Sequence, residues 1–264
     1  MNNTPVVIVT GASRGLGAAV VHWLGKAASA VTLIARSEEN LNETGDKVRH
    51  LGGEPLVCRA DVSQYDACRN AVDKTLDRFG RIDAVVNNAA IVQPISAIAR
   101  TDPDDWRYNL EVNLFGPFNL IRAAVVALVR QKGRIVNVSS GAANLALESM
   151  SAYCTSKAAL NHFTRVLAVE KPELTALTVR PGVVDTDMQT YIRQEGPRVM
   201  PPDQADYYQQ LKDRGELEPA TNPARSIAWL ALYSPREFSG KFLNYDDPLI
   251  SIPALKVFGE RLSN

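Results

Sequence analysis

Cysteine is scarce in this sequence, since the 264 residues contain three, Cys58, Cys68 and Cys154. Their number is odd and no C-x-x-C pair occurs, so the spacing favours neither a disulfide framework nor a zinc site. We therefore expect no metal, and a reducing compartment fits this cysteine usage.

An excess of charge is also lacking, because 29 Lys and Arg residues balance 29 Asp and Glu residues. Nucleic-acid and membrane-surface proteins favour a basic excess, so neither partner is expected. The first residues, Met1 to Pro5, lack the basic and apolar pattern of a signal peptide. We also expect no stretch that is long and apolar enough to span a bilayer. These absences favour a cytoplasmic protein.

Short apolar runs and helix-like stretches alternate along the chain. The predicted strands are Val6–Val9, Ala30–Ile34, Pro55–Cys58, Ala84–Val86, Gly133–Val138, Ala176–Val179 and Lys241–Asn244. The predicted helices are Ala18–Lys26, Glu38–His50, Gln64–Phe79, Asp104–Arg130, Ser151–Glu170 and Ala224–Tyr233. Such alternation indicates βαβ units. We predict one α/β domain over residues 1–264, a Rossmann-type doubly wound parallel sheet with helices on both faces.

A glycine-rich turn follows the first predicted strand, in the stretch VTGASRGLGAAV. Backbone N–H groups and the helix dipole make such a turn an anion site, and glycine lets the anion approach closely. The phosphate loop of nucleotide hydrolases is excluded, because Leu16, Gly17 and Ala18 stand where it needs Lys and Ser or Thr. The spacing of Gly11, Gly15 and Gly17 is G-x-x-x-G-x-G, so a tight strand-to-helix turn is the alternative.

Two further stretches carry polar groups to strand ends. Ser140 closes the predicted strand in RIVNVSSGAA, and SAYCTSKAAL contains Tyr153 and Lys157. Spacing of four places this pair on one helix face. Alone the pair would indicate a solvated helix face, but strand ends converge on one crevice in an open α/β sheet, which favours a shared site.

The segment at about residues 185–221 interrupts this rhythm. It is polar, with prolines at 197, 201, 202 and 219 and several tyrosines. Long excursions beside a ligand crevice are commonly lids or substrate loops, so we predict a lid. A solvated surface insertion is the alternative.

Together these motifs resemble the classical short-chain dehydrogenase/reductase family, over nearly the whole chain from Val6 to about Asp247. The matching stretches are TGASRGLG, DV at 61–62, NNAA, Asn113, Ser140, YCTSK and RPGVVDTDM. The sequence departs from the family at Ala90, where glycine is usual.

The resemblance implies a catalytic set of four residues. Tyr153 would be the general acid of carbonyl reduction, with its pKa lowered by the ammonium of Lys157. Lys157 would also bind the nicotinamide ribose. Ser140 would donate a hydrogen bond to the carbonyl oxygen, and Asn113 would hold a water that relays protons to the lysine.

The resemblance also implies a nicotinamide dinucleotide at the glycine turn. Arg36 and Ser37 stand where an acidic residue favours NAD, and Arg14 adds a second guanidinium, so we predict NADP(H). Glu38 is a counter-indication if it points inward. The implied cofactor residues are Gly11, Ser13, Arg14, Gly15, Leu16, Gly17, Arg36, Ser37, Asp61, Val62, Asn88, Ala89, Ala90, Tyr153, Lys157, Pro181, Gly182, Val183, Thr186 and Met188.

The C-terminal part resembles sepiapterin reductase and the related benzil reductases. In that group an aspartate anchors the pterin, so Asp246, or its neighbour Asp247, joins Ser140 and Tyr153 as a substrate residue. An exposed turn is the alternative for this aspartate.

Three functions follow from these features: NADPH-dependent reduction of a vicinal dicarbonyl or pterin side-chain ketone, turnover of another ketone or alcohol such as a 3-oxoacyl or xenobiotic compound, or dinucleotide sensing without catalysis. Apolar residues on 104–130 and 151–170 predict a homodimer or homotetramer.

Overall fold

The computed structural model describes residues 4–260. These residues form a seven-stranded sheet with helices packed against it. Each strand pairs in parallel with its neighbours, in the order β3-β2-β1-β4-β5-β6-β7. The order reverses between β1 and β4, so the prediction of a doubly wound parallel sheet is confirmed. The strands are Val6–Thr10 (β1), Ala30–Ala35 (β2), Glu54–Arg59 (β3), Ala84–Asn87 (β4), Arg134–Val138 (β5), Thr175–Arg180 (β6) and Phe242–Asn244 (β7).

Helices cover both faces of this sheet. They are Gly15–Lys26 (α1), Glu38–His50 (α2), Tyr65–Phe79 (α3), Pro103–Leu110 (α4), Gly116–Arg130 (α5), Ser151–Glu170 (α6), Asp187–Glu195 (α7), Pro202–Asp213 (α8), Thr221–Tyr233 (α9) and Pro248–Phe258 (α10). Val7 and Val9 of β1 pack with α1, α2 and α9, whereas Ile8 packs with α3 and α5. Successive side chains on a strand point to opposite faces, which explains why β1 is apolar from Val6 to Val9.

The predicted helix over 104–130 is interrupted in the structure. Helix α4 begins at Pro103, after Asp102 accepts a hydrogen bond of 2.8 Å from the Asp104 amide. Residues Glu111–Phe115 then form a π-helical turn before α5. A π turn contains one residue more than an α-helical turn, and the helical spacing of apolar residues in the sequence does not predict it. Such turns are frequent at functional sites.

Within the described residues, Pro103–Arg130 is long and apolar enough to cross a bilayer by length and composition, with a mean hydropathy of 1.7. Our expectation that no stretch meets this test was therefore wrong. Half of its most apolar window is buried inside the fold, where α5 packs against α3 and α4 against α6. Burial against these helices accounts for the apolar residues of that half.

The polar segment from 185 to 221 contains two helices, α7 and α8. Its two ends meet, because the Asp185 amide donates to the Glu218 carbonyl at 2.9 Å and the Glu218 amide donates to the Val183 carbonyl at 2.8 Å. The segment is thus a helical excursion closed at its base. The sequence analysis missed α10, in which Phe258 lies 5.6 Å from Trp23 of α1 between ring centroids.

Candidate active site

The glycine turn joins β1 to the first turn of α1. Gly11 and Gly15 have φ values of +65° and +55°, which favour glycine. A Cβ on Gly17 would lie 2.1 Å from the Gly11 carbonyl oxygen, so only glycine fits there. The Thr10 hydroxyl accepts the Asn88 and Ala89 amides at 3.0 Å each, bracing the turn against the end of β4. The turn is a backbone cradle that suits the pyrophosphate of a dinucleotide.

A cavity of about 1010 Å³ runs from this turn along the carboxyl ends of the strands. It brings together most of the residues predicted from the sequence. The predicted residues that line it are Gly11, Ser13, Arg14, Gly15, Leu16, Arg36, Ser37, Asp61, Val62, Asn88, Ala89, Ala90, Ser140, Tyr153, Lys157, Pro181, Gly182, Val183, Thr186 and Met188. Gly17, Asn113 and Asp246 do not line it.

Ser140, Tyr153 and Lys157 meet at the middle of this cavity. Ser140 follows β5, and its side chain is hydrogen-bonded to Tyr153, which lies in the first turn of α6. Lys157 is one helical turn further on and is 3% exposed. Its Nζ donates to the Val138 carbonyl at 2.8 Å and lies 5.8 Å from the centroid of the Tyr153 ring. The predicted spacing of four therefore points both side chains at the end of β5.

Burial governs the charge states of this pair. It raises the pKa of the Tyr153 phenol, and the hydrogen bond from Ser140 opposes that rise. It also lowers the pKa of Lys157 from 10.5 to about 8. We had expected Lys157 to bring the Tyr153 pKa below its ordinary value, and the structure corrects this. Loss of hydration outweighs the charge, because the ammonium donates to a backbone carbonyl and the phenolate would be desolvated.

Lys157 should cost the fold stability at neutral pH. Its folded pKa lies below the unfolded value, so the unfolded chain binds more protons between pH 8 and 10.5, and stability rises with pH through that window. The fall from 10.5 to about 8 corresponds to roughly 3 kcal/mol. We expect Lys157→Met to melt several degrees above the wild type at pH 7.

Thermal melts at pH 7 and pH 10 check this expectation. The advantage of Lys157→Met should shrink at pH 10, where the wild-type amine is largely neutral, whereas Lys74→Met, at an exposed lysine of α3, should show no such pH dependence. Equal gains at both pH values would mean that packing, not charge burial, separates the proteins.

Asn113 lies in the π turn and is fully buried. Its Oδ1 accepts the Ile91 amide at 2.9 Å, and its Nδ2 donates to the Ile91 carbonyl at 2.8 Å and to Ser156 Oγ at 3.1 Å. Ser156 Oγ in turn donates to the Tyr153 carbonyl at 2.9 Å. The side chain therefore holds the loop after β4 against the helix turn that carries Tyr153, and the water relay stays a prediction.

Two arginines line the cavity, Arg14 in the glycine turn and Arg36 just after β2. Arg14 Nη1 pairs with Asp187 Oδ2 at 2.6 Å, and both side chains are largely exposed. Arg36 Nη1 donates to the Tyr108 hydroxyl at 3.3 Å. Glu38 begins α2, is exposed and is not part of the cavity wall. No carboxylate of α2 therefore lines the cavity beside Arg36.

The structure does not bring Asp246 to the site. Its side chain is exposed and lies outside the cavity wall, and its carbonyl accepts from Ser251 Oγ at 3.2 Å. The alternative, Asp247, caps α10 by accepting the Leu249 amide at 2.9 Å. Both aspartates belong to the turn that starts α10, a helix the sequence analysis missed, and this explains the error in placement.

The far end of the cavity is formed by residues that the sequence analysis did not name. They are mainly apolar and come from the segment before α6 and from α7 and α8. The members are Leu145, Leu147, Met150, Gln189, Ile192, Asp203, Gln204, Tyr207 and Tyr208. The tyrosines between 185 and 221 were the available signal, but which of them face inward depends on how α8 packs.

A family model described as short chain dehydrogenase matches residues 5–196 of this chain. The chain is a member of the short-chain dehydrogenase family. It is 34% identical over 250 residues to an uncharacterized oxidoreductase of Saccharomyces cerevisiae, YIR035C, covering 93% of this chain and 97% of the relative. As a short-chain dehydrogenase it is an oxidoreductase.

Two further similarities concern named enzymes. A benzil reductase ((S)-benzoin forming) of Saccharomyces cerevisiae, IRC24, is 32% identical over 255 residues, covering 92% of this chain and 96% of that protein. The crystal structure of KRED1-Pglu superposes with a TM-score of 0.87 at 39% identity, covering 90% of this chain and 100% of that one. The YIR035C crystal structure has a TM-score of 0.90 and covers 94% of this chain and 98% of that one.

Proposed function

We propose that this protein is an NADPH-dependent carbonyl reductase whose substrate is a vicinal dicarbonyl. The observation that carries the proposal is the Ser140–Tyr153 pair of hydroxyls, which stands between the glycine cradle and an apolar cavity end. The similarity to a benzil reductase supports the substrate class, because benzil is an aromatic 1,2-diketone.

The site supplies the groups that carbonyl reduction requires. NADPH, held at the glycine cradle and beside Arg36, would supply the hydride for the carbonyl carbon. Tyr153 Oη gives its proton to the carbonyl oxygen, and Ser140 Oγ donates a hydrogen bond to the same oxygen. One hydride and one proton convert the carbonyl to an alcohol. Lys157 would restore the proton on Tyr153 and hold the nicotinamide ribose, and the glycine cradle would hold the pyrophosphate.

The pterin side-chain ketone is the weaker substrate, because its anchor, Asp246, lies outside the cavity. Reduction of another ketone would use the same groups, so only substrate kinetics distinguish that function from reduction of a vicinal dicarbonyl. Sensing without turnover is disfavoured, because binding a dinucleotide does not by itself need the paired Ser140 and Tyr153 hydroxyls that line the cavity beside Lys157.

A substrate panel tests the proposal. The oxidation of NADPH, followed by absorbance, should be fastest with benzil and other 1,2-diketones, slower with simple ketones and slow with sepiapterin. Preference for a simple ketone over every diketone would assign the protein to a different substrate class. Absence of turnover with all three classes would refute the reductase proposal.

We propose further that the protein is a homodimer or homotetramer. Helices α5 and α6 carry apolar side chains that the described chain leaves exposed, including Phe118 at 43%, Val126 at 63% and Val169 at 80%. We expect light scattering at micromolar concentration to give an oligomer mass, and Phe118→Asp combined with Val126→Asp to give a monomer.

The control carries the same charges on a different surface. Leu249→Asp and Ile252→Asp on α10, where these residues are 67% and 52% exposed, should leave the mass unchanged. A wild-type monomer would contradict the proposal, and an α10 variant that dissociates would move the interface to that helix.

A further inference from the structure

The Tyr208 hydroxyl is a buried donor without a strong acceptor. Tyr208 lies in α8, lines the cavity and is 7% exposed. Its hydroxyl meets Met150 Sδ at 3.8 Å. A thioether sulfur is a weak acceptor, whereas a buried tyrosine hydroxyl ordinarily has a good hydrogen-bond partner. The site therefore keeps a hydroxyl whose donor capacity is largely unused.

This hydroxyl belongs to the same pocket as the reacting groups. Tyr208, Met150 and Tyr153 pack in one apolar cluster with Ile192. Burial raises the pKa of Tyr208 to about 12, and the nearby Tyr153 contributes to the rise. Tyr208 is therefore a protonated donor at every working pH, close to the phenol that serves the reacting carbonyl.

The other polar side chains on this wall are less suited to donate a hydrogen bond to a buried substrate oxygen. Gln204 uses both ends of its amide on the Glu148 backbone, at 3.2 and 3.0 Å. Asp203 is exposed on the first turn of α8. The amide oxygen of Gln189 is buried without a hydrogen-bond partner, and as an acceptor it cannot pair with a carbonyl oxygen. Tyr207 also lines this wall but is 52% exposed, so Tyr208 is the buried hydroxyl placed to meet a second substrate oxygen.

We infer that Tyr208 determines specificity for vicinal dicarbonyls: its hydroxyl donates to the second carbonyl oxygen, while Ser140 and Tyr153 hold the first. This inference rests on the proposed reductase function and adds a recognition element to it. A monoketone of the same shape leaves the Tyr208 donor unpaired, and a buried unpaired donor costs affinity. The ratio of kcat/KM for the diketone to that for the monoketone is therefore larger than the difference in carbonyl reactivity alone would give.

The test compares benzil with deoxybenzoin, which has the same two phenyl rings and lacks the second carbonyl. We expect Tyr208→Phe to lower kcat/KM for benzil about tenfold and to change that for deoxybenzoin less than twofold. Tyr191→Phe is the matched control, because Tyr191 packs against the same cluster from α7 but does not line the cavity. It should leave both values unchanged.

A second variant keeps the inference testable if Tyr208→Phe does not fold. Met150→Leu removes the competing acceptor of the Tyr208 hydroxyl, and should raise the benzil-to-deoxybenzoin ratio of kcat/KM about twofold. A fall in that ratio would overturn the inference.

The outcomes separate this inference from the proposed function. Wild-type turnover of benzil with an unchanged ratio in Tyr208→Phe overturns the role of Tyr208 alone. Equal losses on both ketones show a structural effect and overturn it as well. If the wild type reduces neither ketone, the reductase proposal and the role of Tyr208 both fail.

Discussion

Tyr153→Phe should reduce turnover by at least 10³-fold while NADPH still binds. The change removes one hydroxyl, which holds the transferable proton and is hydrogen-bonded to Ser140. A positioned general acid contributes about 10²- to 10⁴-fold. The variant also leaves the carbonyl oxygen with one hydrogen-bond donor, Ser140, instead of two, which adds to the effect. The ring stays and the aromatic packing against Lys157 is kept, so the fold should not change.

Steady-state kinetics measure the loss of turnover, and a fluorescence titration with NADPH measures whether the cofactor still binds. Tyr191→Phe again serves as the control, since it removes a tyrosine hydroxyl from the neighbouring cluster without touching the cavity wall. Activity within tenfold of the wild type in Tyr153→Phe would exclude Tyr153 as the acid. Loss of NADPH binding would point to a structural role.

Arg36→Asp should shift the preference from NADPH towards NADH by about 100-fold in the ratio of kcat/KM values. Arg36 lies just after β2 on the cavity wall, which Arg14 of the glycine turn also lines. A guanidinium forms charge-assisted hydrogen bonds with a phosphate dianion, whereas aspartate repels it and accepts from both ribose hydroxyls. Arg14 has an alternative partner in Asp187, so we expect Arg36 to carry the larger share.

Arg59→Asp is the matched control for this charge reversal. Arg59 ends the neighbouring strand β3, is exposed and is not part of the cavity wall. The variant Arg59→Asp changes the electrostatic field at the same edge of the sheet, but residue 59 is not on the cavity wall. Its preference between NADPH and NADH should therefore stay near that of the wild type. A wild type that uses NADH as well as NADPH would show that the prediction of NADP(H) is wrong.

The parallel sheet and the order of its elements were predictable from the sequence. Runs such as Val6–Val9 are apolar at every position, because both faces of the strand are covered. The glycine spacing and the pairing of Tyr153 with Lys157 were equally local, since a turn and a single helix face bring those residues together. Local chemistry of this kind needs no knowledge of distant packing.

The sequence by itself determined the fold class, through its alternating apolar runs, and it determined the glycine cradle and the pairing of Tyr153 with Lys157, which depend on one turn and one helix face. Ser140 meets that pair because the end of β5 packs beside the start of α6. Only the tertiary structure decided which residues form the far wall of the cavity. The exposure of Asp246, the π turn at Asn113 and the burial of Tyr208 all follow from contacts between segments far apart in the chain. Burial likewise decided the direction of the Tyr153 pKa, because loss of hydration depends on every neighbour that surrounds the phenol.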